Sequence, residues 1–106
     1  MNYRFMRMML FFDLPSVTGV DKREYRHFVK FIKSLGFYRL QESVYVKLAV
    51  TSFVTNVVEK DVNRNLPRAG KISILTVTEK QFQSMNTLIG ENHTKILDDD
   101  KRLIEL

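Results

Sequence analysis

Between residues 4 and 13 apolar side chains fill both halves of a two-residue alternation. Met6, Met8, Leu10 and Phe12 fall on one face of an extended chain, and Phe5, Arg7, Met9, Phe11 and Asp13 on the other. That spacing predicts a strand with two mostly apolar faces, central in its sheet. A sheet with helices on one side only must hide its second face against something else, and a partner subunit is the simplest cover.

The period then changes. Tyr25, Phe28, Val29, Ile32 and Leu35 recur at helical spacing, predicting a helix over residues 19–35. Thr18 or Asp21 can cap it, with Glu24 completing a capping-box pattern after Asp21, and Gly36 suits its C-terminal end. Two strands follow, over residues 37–41 and 43–50. In the second, Val44, Val46, Leu48 and Val50 alternate with Tyr45, Lys47 and Ala49, the pattern of a half-buried strand. Thr51 and Ser52 open a second amphipathic helix, with Phe53, Val54, Val57, Val58 and Val62 expected to face inward. Pro67 and Gly70 mark a loop over residues 65–70, ahead of a strand over 71–78. Thr78 with Gln81 resembles a further capping box, opening a short helical turn through Met85. Asp98 to Lys101 read as a turn, and Arg102 to Leu106 as a final strand.

The order is β-α-β-β-α-β with an appended strand. This predicts an α+β, ferredoxin-like domain spanning residues 1–106, with residues 86–106 as its tail. The fold hosts many unrelated activities and does not decide function.

Composition narrows the classes. A chain of 106 residues has room for one modest core, and eight Phe, four Tyr and five Met leave apolar surface that points to oligomerisation. No cysteine is present, which excludes disulfides, zinc–thiolate sites and thiol catalysis and fits a reducing, cytoplasmic setting. The apolar run Met8–Phe12 is too short to span a bilayer, and no small-residue cleavage pattern follows it. Seventeen Lys and Arg against twelve Asp and Glu give a net charge of +5. Such a balance favours polyanions, nucleic acid first and an anionic membrane surface second.

Three features could carry chemistry. Asp13 closes the first strand ahead of Leu14 and Pro15. It reads either as a turn residue bonding nearby N–H groups or as an oxygen ligand for a divalent cation at a phosphodiester. Lys22, Arg23, Arg26, Lys30 and Lys33 form a cationic stripe on the first helix with no acid at i±4 among them, which can track phosphates or simply be a solvated face. Arg64, Arg68 and Lys71 add cations around the loop, and such loops clamp backbones or do nothing. His27 and His93 stand alone without metal-ligand spacing. Asp98, Asp99 and Asp100 read as a solvated turn, Ser43 has no base that sequence identifies, and no phosphate-cradling glycine loop occurs.

Four stretches together resemble the small CRISPR-associated endoribonuclease family, the adaptation subunit that partners the CRISPR integrase. They are MRMMLFFDLP, KREYRHFVKFIKSLGF, QESVYVKL and LPRAGKISILTVTEKQF, in that order. TEKQF with the following IGEN is most similar to members from subtype II-A loci. The resemblance implies a ferredoxin-like homodimer whose final strand, here Arg102 to Leu106, pairs with the partner's sheet. It implies that Asp13 is the magnesium ligand and catalytic position, its two copies facing each other across the dimer axis. Many members carry Tyr before that Asp, where this chain has Phe12. The family's basic positions fall on Lys22, Arg23 and Arg26, and its Ser-Val-aromatic element on Ser43, Val44 and Tyr45.

The resemblance also implies function. One expectation is a scaffold that holds a double-stranded DNA protospacer between integrase subunits during spacer acquisition. Another is a weak magnesium-dependent endonuclease on single-stranded RNA or duplex DNA. A toxin-like dimeric ribonuclease of the same fold is the alternative from a different class.

Overall fold

The computed structural model describes residues 5–90. The elements run β1 (Met6–Asp13), α1 (Gly19–Ser34), β2 (Tyr38–Gln41), β3 (Val44–Ala49), α2 (Ser52–Arg64), β4 (Lys71–Thr78) and α3 (Glu79–Gln83). The expected turn at Asp98–Lys101, the strand at Arg102–Leu106 and His93 lie outside the described residues.

The four strands form one sheet in the order β2-β3-β1-β4 with antiparallel neighbours throughout. β1 and β2 therefore run the same way with β3 inserted between them, which is the split βαβ connection of a ferredoxin-like fold. β1 is central, as its two apolar faces predict.

Its alternation divides the molecule. Met8, Leu10 and Phe12 are buried against Phe28 and Ile32 of α1 and Val58 and Val62 of α2, so both long helices cover the same face. The opposite face carries Arg7, Met9, Phe11 and Asp13, and across β4 their register partners Val77, Leu75, Ser73 and Lys71. Much of that face is open among the described residues, with Leu75 54% and Phe11 37% exposed.

Local sequence explains the helix ends. Thr18 caps α1 through its Oγ1, which accepts the Asp21 N–H at 3.0 Å, while Asp21 accepts the Thr18 N–H at 3.2 Å. The box thus pairs Thr18 with Asp21, and Glu24, expected to complete a box after Asp21, is engaged elsewhere. The reason is register: the box joins the cap to the third helical residue, and with Thr18 as cap that residue is Asp21. Thr51 caps α2, and Thr78 with Gln81 forms the expected box at α3.

Two apolar assignments are corrected. Phe53 and Val57 of α2, expected inward, are 73% and 40% exposed, while Thr55 takes an inward position with Val58 and Val62. Apolar residues here exceed the arc that one helix face can bury, and at about 100° per residue Phe53 lies far from the Val58–Val62 direction. In β3 the helix-facing set is Tyr45, Lys47 and Ala49, because Leu10, Met8 and Met6 pair with them. Val44, Val46 and Leu48 join Phe11, Met9 and Arg7 on the other face, where Val46 is fully buried and Leu48 is 44% exposed. Alternation alone identified the two sets; pairing with β1 chose which met the core.

Candidate functional site

Asp13 ends β1 with its side chain exposed on the open face. Three local features set its position. Phe12 beside it points to the helices, stacked on Tyr45 at 5.8 Å between centroids and edge-on to Tyr25 at 5.6 Å and Phe28 at 5.9 Å. The Phe12 N–H donates to the Ser43 carbonyl at 3.1 Å, tying the strand end to the β2–β3 turn. Ser43 has a φ of 65°, the left-handed backbone of a tight hairpin. On the other side Gly70, with a φ of 106°, brings the α2–β4 loop so close that a Cβ there would meet the Asp13 carbonyl oxygen at 2.7 Å. Only glycine tolerates both the conformation and the approach. Lys71 follows it and pairs in register with Asp13, so a carboxylate and an ammonium share the same end of the open face.

As a cation position, the strand end offers hard oxygen but few ligands. Among the described residues no group of three His, Cys, Asp or Glu side chains converges. The Asp13 carboxylate is the oxygen ligand that this strand end offers; a hydrated magnesium ion, which keeps several waters, can be held by one or two carboxylates.

The cationic stripe lies elsewhere. Lys22, Arg23, Arg26, Lys30 and Lys33 are all exposed. They project from the side of α1 opposite Phe28 and Ile32, which face the sheet. Asp13 and the stripe are thus on opposite sides of the sheet, and the fold does not join them into one site. None of the stripe residues has an acidic partner within ion-pair distance among the described residues. His27 is exposed on the same helix.

The loop cations divide. Arg64 ends α2 and pairs with Asp61 at 3.2 Å, an exposed contact of small energetic value. Arg68 is held by Glu24 of α1: its Nε lies 2.8 Å from Oε2, and its backbone N–H donates to Oε1 at 3.0 Å. The charge of Arg68 also acts on Asp21. The Thr18 backbone hydrogen bond is the main reason that carboxyl sits below its ordinary range; burial opposes it, and Arg68 adds to the lowering. Lys71 stands beside Asp13.

Arg7 was not singled out as a site by sequence reasoning. Its Nε and Nη2 donate to Glu79 at 2.6 and 3.1 Å, its Nη1 donates to the Tyr38 hydroxyl at 2.8 Å, and its guanidinium lies 4.6 Å from the centre of the Phe82 ring. This network anchors α3 at one end of the open face. Burial pulls the Arg7 pKa down, but hydrogen bonding and charge from Glu79 and Tyr38 outweigh it and leave the group above its ordinary value. For Glu79, burial pushes the pKa up, yet hydrogen bonds from Arg7 and Gln83 and the Arg7 charge hold it below the usual carboxylate range. A lone charge amid the apolar positions of β1 was the available signal. Glu24 gave none, since its partner is 44 residues away.

No helix among the described residues is long and apolar enough to cross a membrane. The family described as CRISPR associated protein Cas2 matches residues 6–85, from β1 through α3. A relative from Treponema denticola, named CRISPR-associated endoribonuclease Cas2, is 40% identical over 101 residues, covering 95% of this chain and 100% of that protein. One of the same name from Streptococcus mutans is 44% identical over 101 residues, covering 95% of this chain and 93% of its own. A third, from Ligilactobacillus salivarius, is 37% identical with 95% and 100% covered. The shared sequence spans every element that builds the sheet and its strand-end Asp, and this chain accordingly belongs to the CRISPR-associated protein Cas2 family.

Proposed function

We propose that this chain is a CRISPR adaptation subunit, a cytoplasmic homodimer that binds duplex DNA and scaffolds integrase subunits during spacer acquisition. The carrying observation is the division of its surface. An exposed cationic stripe, free of acidic partners among the described residues, lies on the outer side of α1, and an open apolar sheet face lies on the other side. The stripe suits phosphates, which a row of Lys and Arg neutralises with release of counterions. The open face suits a second copy, because Phe11, Leu48 and Leu75 otherwise stay in water. Dimerisation through that face leaves both stripes outward and brings two Asp13 strand ends into one interface.

We assign a weak magnesium-dependent endonuclease activity, on single-stranded RNA or duplex DNA, to the paired Asp13 positions. The relatives' shared name, endoribonuclease, supports the nuclease part. A bound magnesium ion would supply phosphate polarisation and water activation. The chain's own residues give the carboxylates of Asp13, a backbone held by Phe12 and Gly70, and Lys71 as a neighbouring cation for the phosphate. With Asp13 as the assigned carboxylate of each chain and no separate general base assigned, turnover should be slow.

The test pairs two variants. Arg23→Glu with Arg26→Glu should weaken duplex binding and lower its salt slope by about one for each phosphate no longer neutralised. Unchanged binding and salt slope would remove the stripe from the reading. Asp13→Ala should abolish magnesium-dependent cleavage, and cleavage at the wild-type rate by highly purified variant would remove the catalytic assignment. Spacer acquisition in cells carrying each variant separates scaffold from nuclease. The toxin-like alternative has no observation of its own in its favour.

A further inference from the structure

We propose that Glu24 is a positioning residue for Arg68, presenting its guanidinium to a nucleic-acid phosphate. This rests on the reading of the protein as a nucleic-acid binder. One carboxylate makes both contacts: Oε1 accepts the Arg68 backbone N–H at 3.0 Å, and Oε2 lies 2.8 Å from Nε. The first pins the loop backbone to α1. The second engages the base of the guanidinium, and among the described residues its Nη groups have no hydrogen-bond or ion-pair partner, on a side chain that is 69% exposed. A guanidinium carries five donors in a rigid fork, so an Arg held at Nε keeps an Nη edge for a phosphate.

The loop is restrained at its other end too. Gly70 lies against the Asp13 carbonyl oxygen and Leu14, and Lys71 begins β4 beside Asp13. Arg68 is therefore set on a loop fixed at both ends. Its neighbours on α1 extend the stripe sideways: Arg23 precedes Glu24, and His27 lies between the stripe and the loop, lining the groove with Phe31 and Pro67. At about 100° per residue, Glu24 sits on the flank of α1 facing the loop while Arg23 faces solvent. Arg68 thus adds a cation on the flank of α1, on the Arg23 side of the stripe, with Glu24 joining helix and loop.

A carboxylate beside a cation invites the opposite reading, in which Glu24, helped by Asp21, only masks Arg68. The two readings differ in sign. Removing a negative charge from a polyanion-binding surface tightens binding on electrostatic grounds alone. Removing a group that orders a rotamer-rich Arg weakens it.

The experiment measures affinity for a short DNA duplex, at moderate salt and well below each variant's melting temperature. The variants are wild type, Glu24→Gln, Arg68→Ala and the double variant. Positioning predicts that Glu24→Gln weakens binding about three-fold although it makes the protein more positive. It also predicts that the same change, made in the Arg68→Ala background, leaves binding unchanged or tighter. Tighter or equal binding by the single variant would overturn the proposal in favour of masking. Weakening of equal size in both backgrounds would overturn it too, because Glu24 would then act without Arg68. Absence of duplex binding by wild type would instead remove the nucleic-acid reading on which the proposal stands.

Discussion

The two faces of the sheet are built from nearly the same kinds of residue and have opposite fates. On one, Met8, Leu10 and Phe12 meet α1 and α2 and are almost completely buried. On the other, Met9 and Phe11 face no long helix among the described residues, and Phe11 and Leu75 are exposed. The described residues hold two long helices, and the split βαβ connection places both on one side. The second face must be covered by something else or stay a liability for aggregation. The contrast teaches that hydrophobicity in β1 serves two purposes, folding on one side and association on the other.

Charge follows the same division. The helix-covered side ends outward in the α1 stripe. Among the described residues the open side has an ion network at Arg7 and, at the strand end, Asp13 in register with Lys71. Arg7 survives among apolar neighbours because Glu79, Tyr38 and the Phe82 ring all engage it.

The strongest way to sharpen the comparison is to cut the covered face. Phe12→Ala removes the ring at the centre of the Tyr25, Phe28 and Tyr45 cluster. It should cost roughly 3–5 kcal/mol in denaturant unfolding. A loss below about 1 kcal/mol would show that the two faces are not energetically distinct.

A smaller effect is expected at the network on the open face. Arg7→Leu should cost about 1–2 kcal/mol, by removing hydrogen bonds to a charged group and the packing on Phe82. It should also change the acid response. Glu79 is held below its ordinary pKa in the fold, so the stability it contributes is present above the unfolded carboxylate value and lost as pH falls through the folded one. Wild type should lose stability over that acidic window, and Arg7→Leu should lose less. Equal pH slopes in thermal melts would count against the network as their source.

The smallest change in folding belongs to the exposed patch. Leu75→Asp should alter the intrinsic stability of one chain by no more than about 0.5 kcal/mol. In light scattering it should shift the population from dimer to monomer. A wild-type protein that is monomeric at every concentration would break the association side of the comparison.

Much of this was legible in the chain. The strand and helix order, the β4 boundaries and the capping box at Thr78 follow from two periods and a few turn residues, which are local properties. The prominence of Asp13 also follows, since a carboxylate closing an apolar strand stands out wherever the strand goes. The second helix misled because five apolar residues suggested one broad buried face, while the helix had only a narrow arc against the sheet. Phe53 was left outside.

What the sequence by itself determined is the set of elements and the two-sided character of β1, because both depend on spacing along one segment. Tertiary structure alone decided which alternation of β3 met the helices, since strand pairing selects a face and alternation does not. It alone separated Asp13 from the α1 stripe by the thickness of the sheet. It alone brought Glu24 to Arg68 and Arg7 to Glu79, pairings between residues 44 and 72 positions apart that no local pattern encodes. The physical reason is the same in each case: side-chain direction is local, but which neighbour it meets is fixed by packing of the whole chain.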